Sequence, residues 1–475
     1  MSAQKITIEP VTRIEGHARI TLYLNEKGEV ERSYLHIDEF RGMEKFSEGR
    51  PYFEMPQITQ RICGICPVSH HLASAKACDV IWGAGPTRPA MLLRELMHMG
   101  QFVQSHGMHF FYLAGPDFVL GFDADPAVRN VFGIIAADPA LALKAVGLRR
   151  FGQQIIERLG GKRVHPNLAV PGGVNAPLSA GDRDAIAAEI ETQLGVAMEG
   201  VGLLANWVER NRDLALSFAA FPSSYMGLVD AKGGLSLYGG QIRVCGPDGS
   251  RIDQFKPEDY LLYVAEHVEP WSFLKFPYYR KQGWPLGAYR VGPLGRLNVV
   301  DRIGTSLAGE EFKRFRQLGN GRPVEGSLFY HYARLIELVY ALERIEQLLA
   351  DPEILSTDLR VYGPAGLRQQ GVGVIEAPRG TLIHDYGVDG DGLLTRVNLI
   401  VATGHNNWAM NRAVDSVAKA FVRGPEVPEG MLNRVEAAVR CYDPCLSCST
   451  HALGKMPLEM TMVGPDGSVL AKAGR

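Results

Sequence analysis

Two short stretches near opposite ends of the chain carry the residue types best able to do chemistry. One is Arg61-Ile62-Cys63-Gly64-Ile65-Cys66-Pro67-Val68-Ser69-His70, and the other is Asp443-Pro444-Cys445-Leu446-Ser447-Cys448-Ser449-Thr450-His451. Each holds a Cys-x-x-Cys with a histidine shortly after it. That spacing turns two sulfurs to one side of a turn, where they can share a metal. Gly64 keeps the backbone permissive within the first pair, and Pro444 restrains it just before the second. Three readings compete. The plainest is two unrelated buried pairs. The second is a structural four-cysteine zinc site, or two redox pairs. Zinc ribbons keep their pairs within roughly 15–20 residues, whereas 379 residues separate Cys66 from Cys445, which disfavours a local zinc knuckle. The third is a buried metal centre whose halves come from the two ends and close around a folded body. Four thiolates select soft transition metals such as nickel, iron, copper or zinc.

The rest of the composition narrows the class. Seven cysteines, an odd number, argue against a disulfide framework, and Cys78, Cys245 and Cys441 are assigned to plain packing. The chain has 475 residues, 46% of them hydrophobic, with 50 basic against 52 acidic side chains. A net charge of −2 provides no electrostatic footprint for nucleic acid or an acidic membrane surface. No run of 18 apolar residues is present, so no membrane span is expected. The first residues run directly into strand-like sequence without a leader, and a cytoplasmic location is expected. No Gly-x-Gly-x-x-Gly loop or Walker loop is found, and no further cysteine cluster for an iron–sulfur centre.

The elements that position the cysteines read as mainly α with β decorations (α+β), in one large domain over 1–475. Residues 1–40 form a β region, with alternation at 5–9 and 19–24, a turn at Asn25-Glu26-Lys27-Gly28, and a third strand at 30–37. A helical body spans 89–215 and 326–441. Its segment 89–113 is apolar nearly all round, the mark of a central helix. Further helices are expected at 127–159, at 181–213 opened by Ser179 or Asp182, at 326–350, and near 407–422 and 429–441. Residues 222–300 read as an irregular α+β excursion with short strands such as Leu235-Ser236-Leu237-Tyr238. A hairpin is expected within 371–403, with strands at 372–376, 382–385 and 397–403. Residues 452–475 read as an amphipathic strand or two around a Gly-Pro-Asp-Gly turn.

The two cysteine elements resemble the paired signatures of the large subunit of nickel–iron hydrogenases, Arg-x-Cys-Gly-x-Cys-x-x-x-His and Asp-Pro-Cys-x-x-Cys-x-x-His. Arg13-Ile14-Glu15-Gly16-His17, Phe40-Arg41-Gly42-Met43-Glu44 and Glu376-Ala377-Pro378-Arg379-Gly380 are similar to further segments of that family, in the same order. Leu382-Ile383-His384 and the Cys-x-x-Cys-Ser-Thr-His-Ala ending resemble the cytoplasmic, bidirectional, NAD-reducing branch. The deazaflavin-reducing, NADP-linked and energy-converting branches, and hydrogen-sensing regulators, stay open as alternatives. The related quinone-module subunit of respiratory complex I lacks the four cysteines.

The resemblance implies roles. Cys63 and Cys445 would be terminal nickel ligands, and Cys66 and Cys448 would bridge nickel to an iron carrying two cyanides and one carbon monoxide. Arg379 and Thr403 would face those small ligands. Glu15 would relay protons. Asp117 and Asp443 would form a canopy with Arg379, and His70 would hydrogen-bond a bridging sulfur. Glu44 and His451 would bind a magnesium-like ion, with a backbone carbonyl from around 397–399. H2 would be the substrate. The implied partners are an iron–sulfur small subunit, flavin/NAD diaphorase subunits, and an endopeptidase that cuts after His451 and removes 452–475.

Overall fold

The computed structural model describes residues 5–363, 366–423, 428–449, 459–463 and 469–474. An antiparallel meander of Lys5–Ile8, Arg19–Leu24 and Val30–His36 opens it. Its register sets Ile8 opposite Ile20 and Ile20 opposite Leu35. The alternating apolar side chains therefore share one face, and Ile20, Leu22 and Leu35 are fully buried. The expected turn forms because the Asn25 side-chain oxygen accepts from the Lys27 and Glu29 amides.

The helical body is built on Arg88–Met108 and Phe329–Leu349, with Pro67–Trp82, Pro139–Gly160 and Ile190–Arg210 packed about them. Thr87 caps the first of these by accepting from the Ala90 amide. As expected, this helix is buried on nearly every side, yet its interior is not purely apolar. Arg94, His98, Gln101, Gln104 and His106 are buried along it. Such groups are tolerable only when bonded. Arg94 donates twice to Asp79, at 2.6 and 3.1 Å. His98 Nε2 meets the Glu376 carbonyl at 2.8 Å, and His106 Nε2 meets the Glu337 carboxylate at 2.9 Å. Beyond Met108 the chain passes through a π-helical turn, His109–Ala114, into Gly115–Val119, which carries Asp117.

The long helix expected over 181–213 is three pieces, Ala180–Ala187, Ile190–Arg210 and Arg212–Ser217. Ser179 caps the first by accepting from Asp182, and the Asn211 side chain closes the second on the Trp207 carbonyl. Helices Asn407–Phe421 and Glu429–Arg440 stand where the pattern places them. The expected hairpin is a three-stranded meander, Gln370–Ala377, Gly380–Val388 and Leu394–Ile400. Its third strand ends at Ile400, so Thr403 lies in a short helix, Ala402–His405. The middle is more regular than its composition implies. It holds a four-stranded sheet in which Ser224–Val229 pairs in parallel with Tyr289–Arg290 and antiparallel with Gln241–Cys245, followed by Arg251–Phe255. The run at 235–238 is not a strand. Only Leu235 makes a bridge, to Val229, because glycines at 233, 234, 239 and 240 turn the chain on both sides. The tail hairpin pairs Glu459–Val463 with Val469–Gly474, and its expected turn lies outside the described residues. No described helix is long and apolar enough to cross a membrane.

A buried ionic cluster joins these layers. Arg296, on helix Gly292–Val299, donates to both Glu337 oxygens at 2.6 Å and to Glu376 at 2.7 Å. It also donates to the carbonyls of Ala377 at 2.9 Å and Pro378 at 3.1 Å, which fixes the two residues before Arg379. Burial pushes both carboxyls up. Arg296 overrules it at Glu337, which titrates below its usual range, while Glu376 remains above. Replacing Arg296 by Met strands two carboxyls in a dry core. We expect Arg296→Met to cost about 3–5 kcal/mol, read from the denaturant midpoint. An unchanged midpoint would show that the cluster does not hold these layers together.

Candidate metal centre

Cys63 ends a short 3-10 turn, Gln60–Ile62, and Cys66 stands at the N-terminus of helix Pro67–Trp82, whose first residue is a proline. The four residues from Cys63 to Cys66 are thus a rigid link between two helical pieces. At the other end Cys445 immediately precedes the turn Leu446–Ser449, which contains Cys448. The two turns face each other. Sγ of Cys63 lies 3.2 Å from Sγ of Cys445, Cys66 lies 3.2 Å from Cys448, and Cys445 lies 3.0 Å from Cys448. All four sulfurs fall within 4.8 Å of one another and all are buried. None of the seven cysteines is in a disulfide, and Cys78, Cys245 and Cys441 are buried away from the group of four.

What closes the site is a set of contacts from distant segments. Glu15 lies alongside Cys445 in a parallel bridge, and its carbonyl accepts from the Leu446 amide at 3.1 Å. Its carboxylate accepts from the Ser447 amide at 3.0 Å and from the Ser447 hydroxyl. Gly16 is required there, with φ 82° and a Cβ position only 2.7 Å from Leu446 Cβ. Thr403 accepts from the Cys445 amide at 2.9 Å, so its own O–H is left to donate. Arg379 donates to the Asp443 carbonyl at 2.6 Å and to its carboxylate at 2.9 Å. Asp443 holds a left-handed backbone at φ 52°, and its second carboxylate oxygen is buried without a partner.

Asp443 meets Arg379 directly, whereas Asp117 pairs with other arginines. Asp117 accepts from Arg13 at 2.6 Å, Arg440 at 2.6 Å and Asn433 at 3.0 Å. Its placement follows from the buried arginines that surround the start of its helix, and Arg440 and Arg13 hold its carboxyl below the usual range in spite of burial. His70 meets His384 at 3.1 Å, His384 meets the Tyr386 hydroxyl at 2.6 Å, and Tyr386 donates to Ser74 at 2.9 Å. Glu44 accepts from the Leu399 amide at 2.7 Å, and burial raises its carboxyl. That brings Glu44 to the segment expected to supply a carbonyl, while His451 lies outside the described residues.

A small cavity of about 10 Å³ opens beside the sulfurs. Cys66, Cys448 and Cys445 line it together with Ser69, His70, Arg379 and Thr403, and Cys63 does not. The Ser69 hydroxyl is buried there without a partner.

A family model for nickel-dependent hydrogenase matches residues 41–130 and 235–451. The chain belongs to that family. A second model, described as HoxL-like, matches residues 5–40. The vhu F420-non-reducing hydrogenase of Methanococcus voltae has a chain 47% identical to this hydrogenase, over 88% of this chain and 99% of its own length. The NAD-reducing hydrogenase HoxS subunit beta of Cupriavidus necator is 42% identical over the whole of both chains. A crystal structure of an NAD+-reducing NiFe hydrogenase in the H2-reduced state matches with a TM-score of 0.92 at 46% identity, covering 95% of this chain and 100% of that one. A Ni-Fe-Se hydrogenase from D. vulgaris Hildenborough shares the fold at 24% identity, with a TM-score of 0.77.

The donor set of this hydrogenase, four buried sulfurs within 4.8 Å of one another, fits a soft transition metal such as nickel. Packed thiols cannot all ionise unaided. Bonding from Cys445, Cys448 and Cys66 pulls the Cys63 thiol well below its usual range, whereas burial pushes Cys445 and Cys448 well above theirs. A divalent ion removes that obstacle and displaces the protons. Arg379 supplies fixed positive charge. Burial works against it, but Asp443 and the sulfurs of Cys445, Cys66 and Cys63 hold the guanidinium firmly charged. Sequence reasoning missed Arg13, Arg440, Ser447 and the chain from His384 to Ser74. The one signal for Arg440 was a charge on the buried side of a helical pattern, and Arg13 had only its place beside Glu15 in the N-terminal segment.

Serine is harder than cysteine and far less acidic, hence a poor ligand for a soft metal. Cys63→Ser and Cys445→Ser should each leave nickel substoichiometric by elemental analysis and abolish H2 uptake. Full nickel with wild-type turnover would remove these sulfurs from the centre.

Proposed function

We propose that this hydrogenase splits H2 heterolytically at a nickel–iron centre held by Cys63, Cys66, Cys445 and Cys448. The observation that carries the reading is the position of the cavity against the four sulfurs. It opens on Cys66, Cys448 and Cys445 and not on Cys63. The family resemblance gives Cys66 and Cys448 the bridging roles and makes Cys63 and Cys445 terminal nickel ligands, and an iron with two cyanides and a carbon monoxide would complete the centre. When bound, the centre supplies a polarising site at which H2 divides into a hydride equivalent and a proton.

The chain's own residues handle the rest. Four thiolates and two cyanides carry −6 against roughly +4 from two divalent metals, so a buried centre needs cationic neighbours. Arg379 meets that need with a planar fork of donors, and the Thr403 hydroxyl adds a neutral one. The Sγ of a terminal cysteine takes the proton first. Glu15 takes it next, because its carboxylate is held on the same turn as Cys445 by Ser447. His70, lining the cavity beside Cys66 and Cys448, orients the sulfurs, and Asp443 fixes the Arg379 fork. Asp117 acts on the same region through Arg13 and Arg440. Glu44, His451 and a carbonyl near Leu399 would hold a magnesium-like ion beneath the C-terminal turn.

Electrons go to an iron–sulfur small subunit, then to NAD through flavin-bearing diaphorase subunits. The full-length match to the Cupriavidus necator protein supports this, as does the lack of a dinucleotide loop in the chain. The similarity to the Methanococcus voltae protein favours, as a second reading, an acceptor other than NAD. Seven thiols outside any disulfide suit a reducing cytoplasm. A maturation endopeptidase cutting after His451 would free 452–475 once the metals are in. The purified complex should reduce NAD with H2, and intact mass should show a large subunit ending at His451. Reduction of an artificial dye without NAD would move the acceptor to the second reading, and an active enzyme still carrying Arg475 would refute the cleavage.

Glu15→Gln keeps shape but cannot take a proton. H2/D2 exchange should fall about 10²–10⁴-fold with nickel retained, and unchanged exchange would remove Glu15 from the relay. Arg379→Lys keeps charge but loses the fork. Activity should fall at least about 10²-fold in a nickel-replete enzyme, and near-normal turnover would make Arg379 purely structural.

A further inference from the structure

Two buried glutamines grip one carbonyl in the first cysteine turn. Gln101 Nε2 donates to the Ile65 oxygen at 2.9 Å, and Gln104 Nε2 donates to the same oxygen at 2.7 Å. The assignment of both amides is forced, since a carbonyl only accepts. The Ile65 oxygen is one end of the Ile65–Cys66 peptide. The other end is the Cys66 N–H, which points at Cys63 Sγ at 3.4 Å, and the Ile65 N–H reaches the same sulfur at 3.2 Å. Donors at the oxygen and the acceptor sulfur at the N–H therefore pull on one planar unit from opposite ends.

One donor would satisfy a buried carbonyl. The second comes at a cost, because Gln101 Oε1 is left buried without a partner. The pair is also held unusually firmly. Gly152 of helix Pro139–Gly160 approaches Gln104 so closely that a Cβ there would lie 2.6 Å from the Gln104 amide nitrogen and 2.6 Å from the Gly100 oxygen. The helix bearing the glutamines cannot slide without opening that crossing.

We propose that Gln101 and Gln104 are positioning residues for the hydrogenase reaction, acting through the Ile65–Cys66 peptide on the Cys63 sulfur. Bonds at both ends of a peptide polarise it and strengthen each other. The Cys66 N–H then stabilises negative charge on Cys63 and draws electron density from the metal it binds, which favours the reduced state of the centre. The inference rests on Cys63 being a nickel ligand.

The test uses the complete purified complex with Gln101→Met, Gln104→Met and the double substitution, which keep volume and remove the donors. Nickel content, the infrared bands of the iron-bound diatomic ligands, and the potential of the nickel transitions are read together. Each single variant should retain nickel, move the bands to lower wavenumber, and shift the redox equilibrium three- to tenfold toward the oxidised form, at most about 59 mV for one electron. The double variant should shift further than either. Gln104→Asn, too short to reach Ile65, should behave like Gln104→Met. Bands and potentials at wild-type positions in nickel-replete single variants would overturn the proposal. So would loss of nickel from both single variants, which would assign the glutamines to assembly. Absence of such bands from the wild-type complex would instead overturn the nickel–iron reading itself.

Discussion

Everything in this fold answers to one constraint, that four sulfurs from the two ends of the chain must meet in a place without water. A dry site is needed because the thiolates and their metals are to be tuned by fixed dipoles rather than by solvent. No local motif can build it. The first pair is presented by a helix start, braced by the central helix and by the meander of residues 370–400. The second pair is laid against it by the N-terminal loop, where Glu15 runs in a bridge beside Cys445 and Gly16 admits Leu446 at van der Waals contact or closer. Residue 15 and residue 446 thus close the same wall, and the whole body between them must fold for that wall to exist.

The second requirement is charge. Arg13, Arg334, Arg379 and Arg440 all lie in or at the edge of the core near the C-terminal turn, against Asp117 and Asp443. Each guanidinium is expensive to desolvate, and Glu436, 3.7 Å from Arg440, adds a further buried acid. Burial lowers Arg334 to about 10 even with Asp443 and Glu337 nearby. Other buried polar groups here are neutral, such as His109, whose Nε2 bonds the Arg440 carbonyl at 2.9 Å and whose burial holds it uncharged.

The parts of this design written in local sequence were legible, and the parts written in tertiary contact were not. The N-terminal meander, the central helix and the cysteine pairs declare themselves by period and spacing. So does Arg379, two residues beyond the end of a strand and one before the next. The run at 235–238 misled because alternation alone does not make a strand when glycines flank it. Helix 181–213 misled because its apolar stripe continues across breaks at residues 188–189 and 211. The resemblance put Asp117 with Arg379, but which arginine an acid meets depends on how helices Gly115–Val119 and Glu429–Arg440 dock, and no spacing encodes that. Gln101 and Gln104 were hidden for the same reason, since on a buried helix an uncharged polar side chain gives no sign of the carbonyl it will find.

The two halves of the site are held in different ways, and this shapes how any substitution must be read. The first cysteine turn is locked from behind by side chains that take no part in chemistry. The second turn is held at its backbone by Glu15 on Leu446 and Ser447, by Thr403 on Cys445, and by Arg379 on Asp443. These are the residues assigned to proton transfer and to the diatomic ligands. Truncating any of them would remove a function and a clamp at once, and lost activity would not separate the two. Isosteric changes do separate them. A glutamine at position 15 still accepts from the Ser447 amide and leaves Leu446 bonded to the backbone carbonyl of residue 15, so the turn stays closed while the carboxylate proposed to carry the proton is gone.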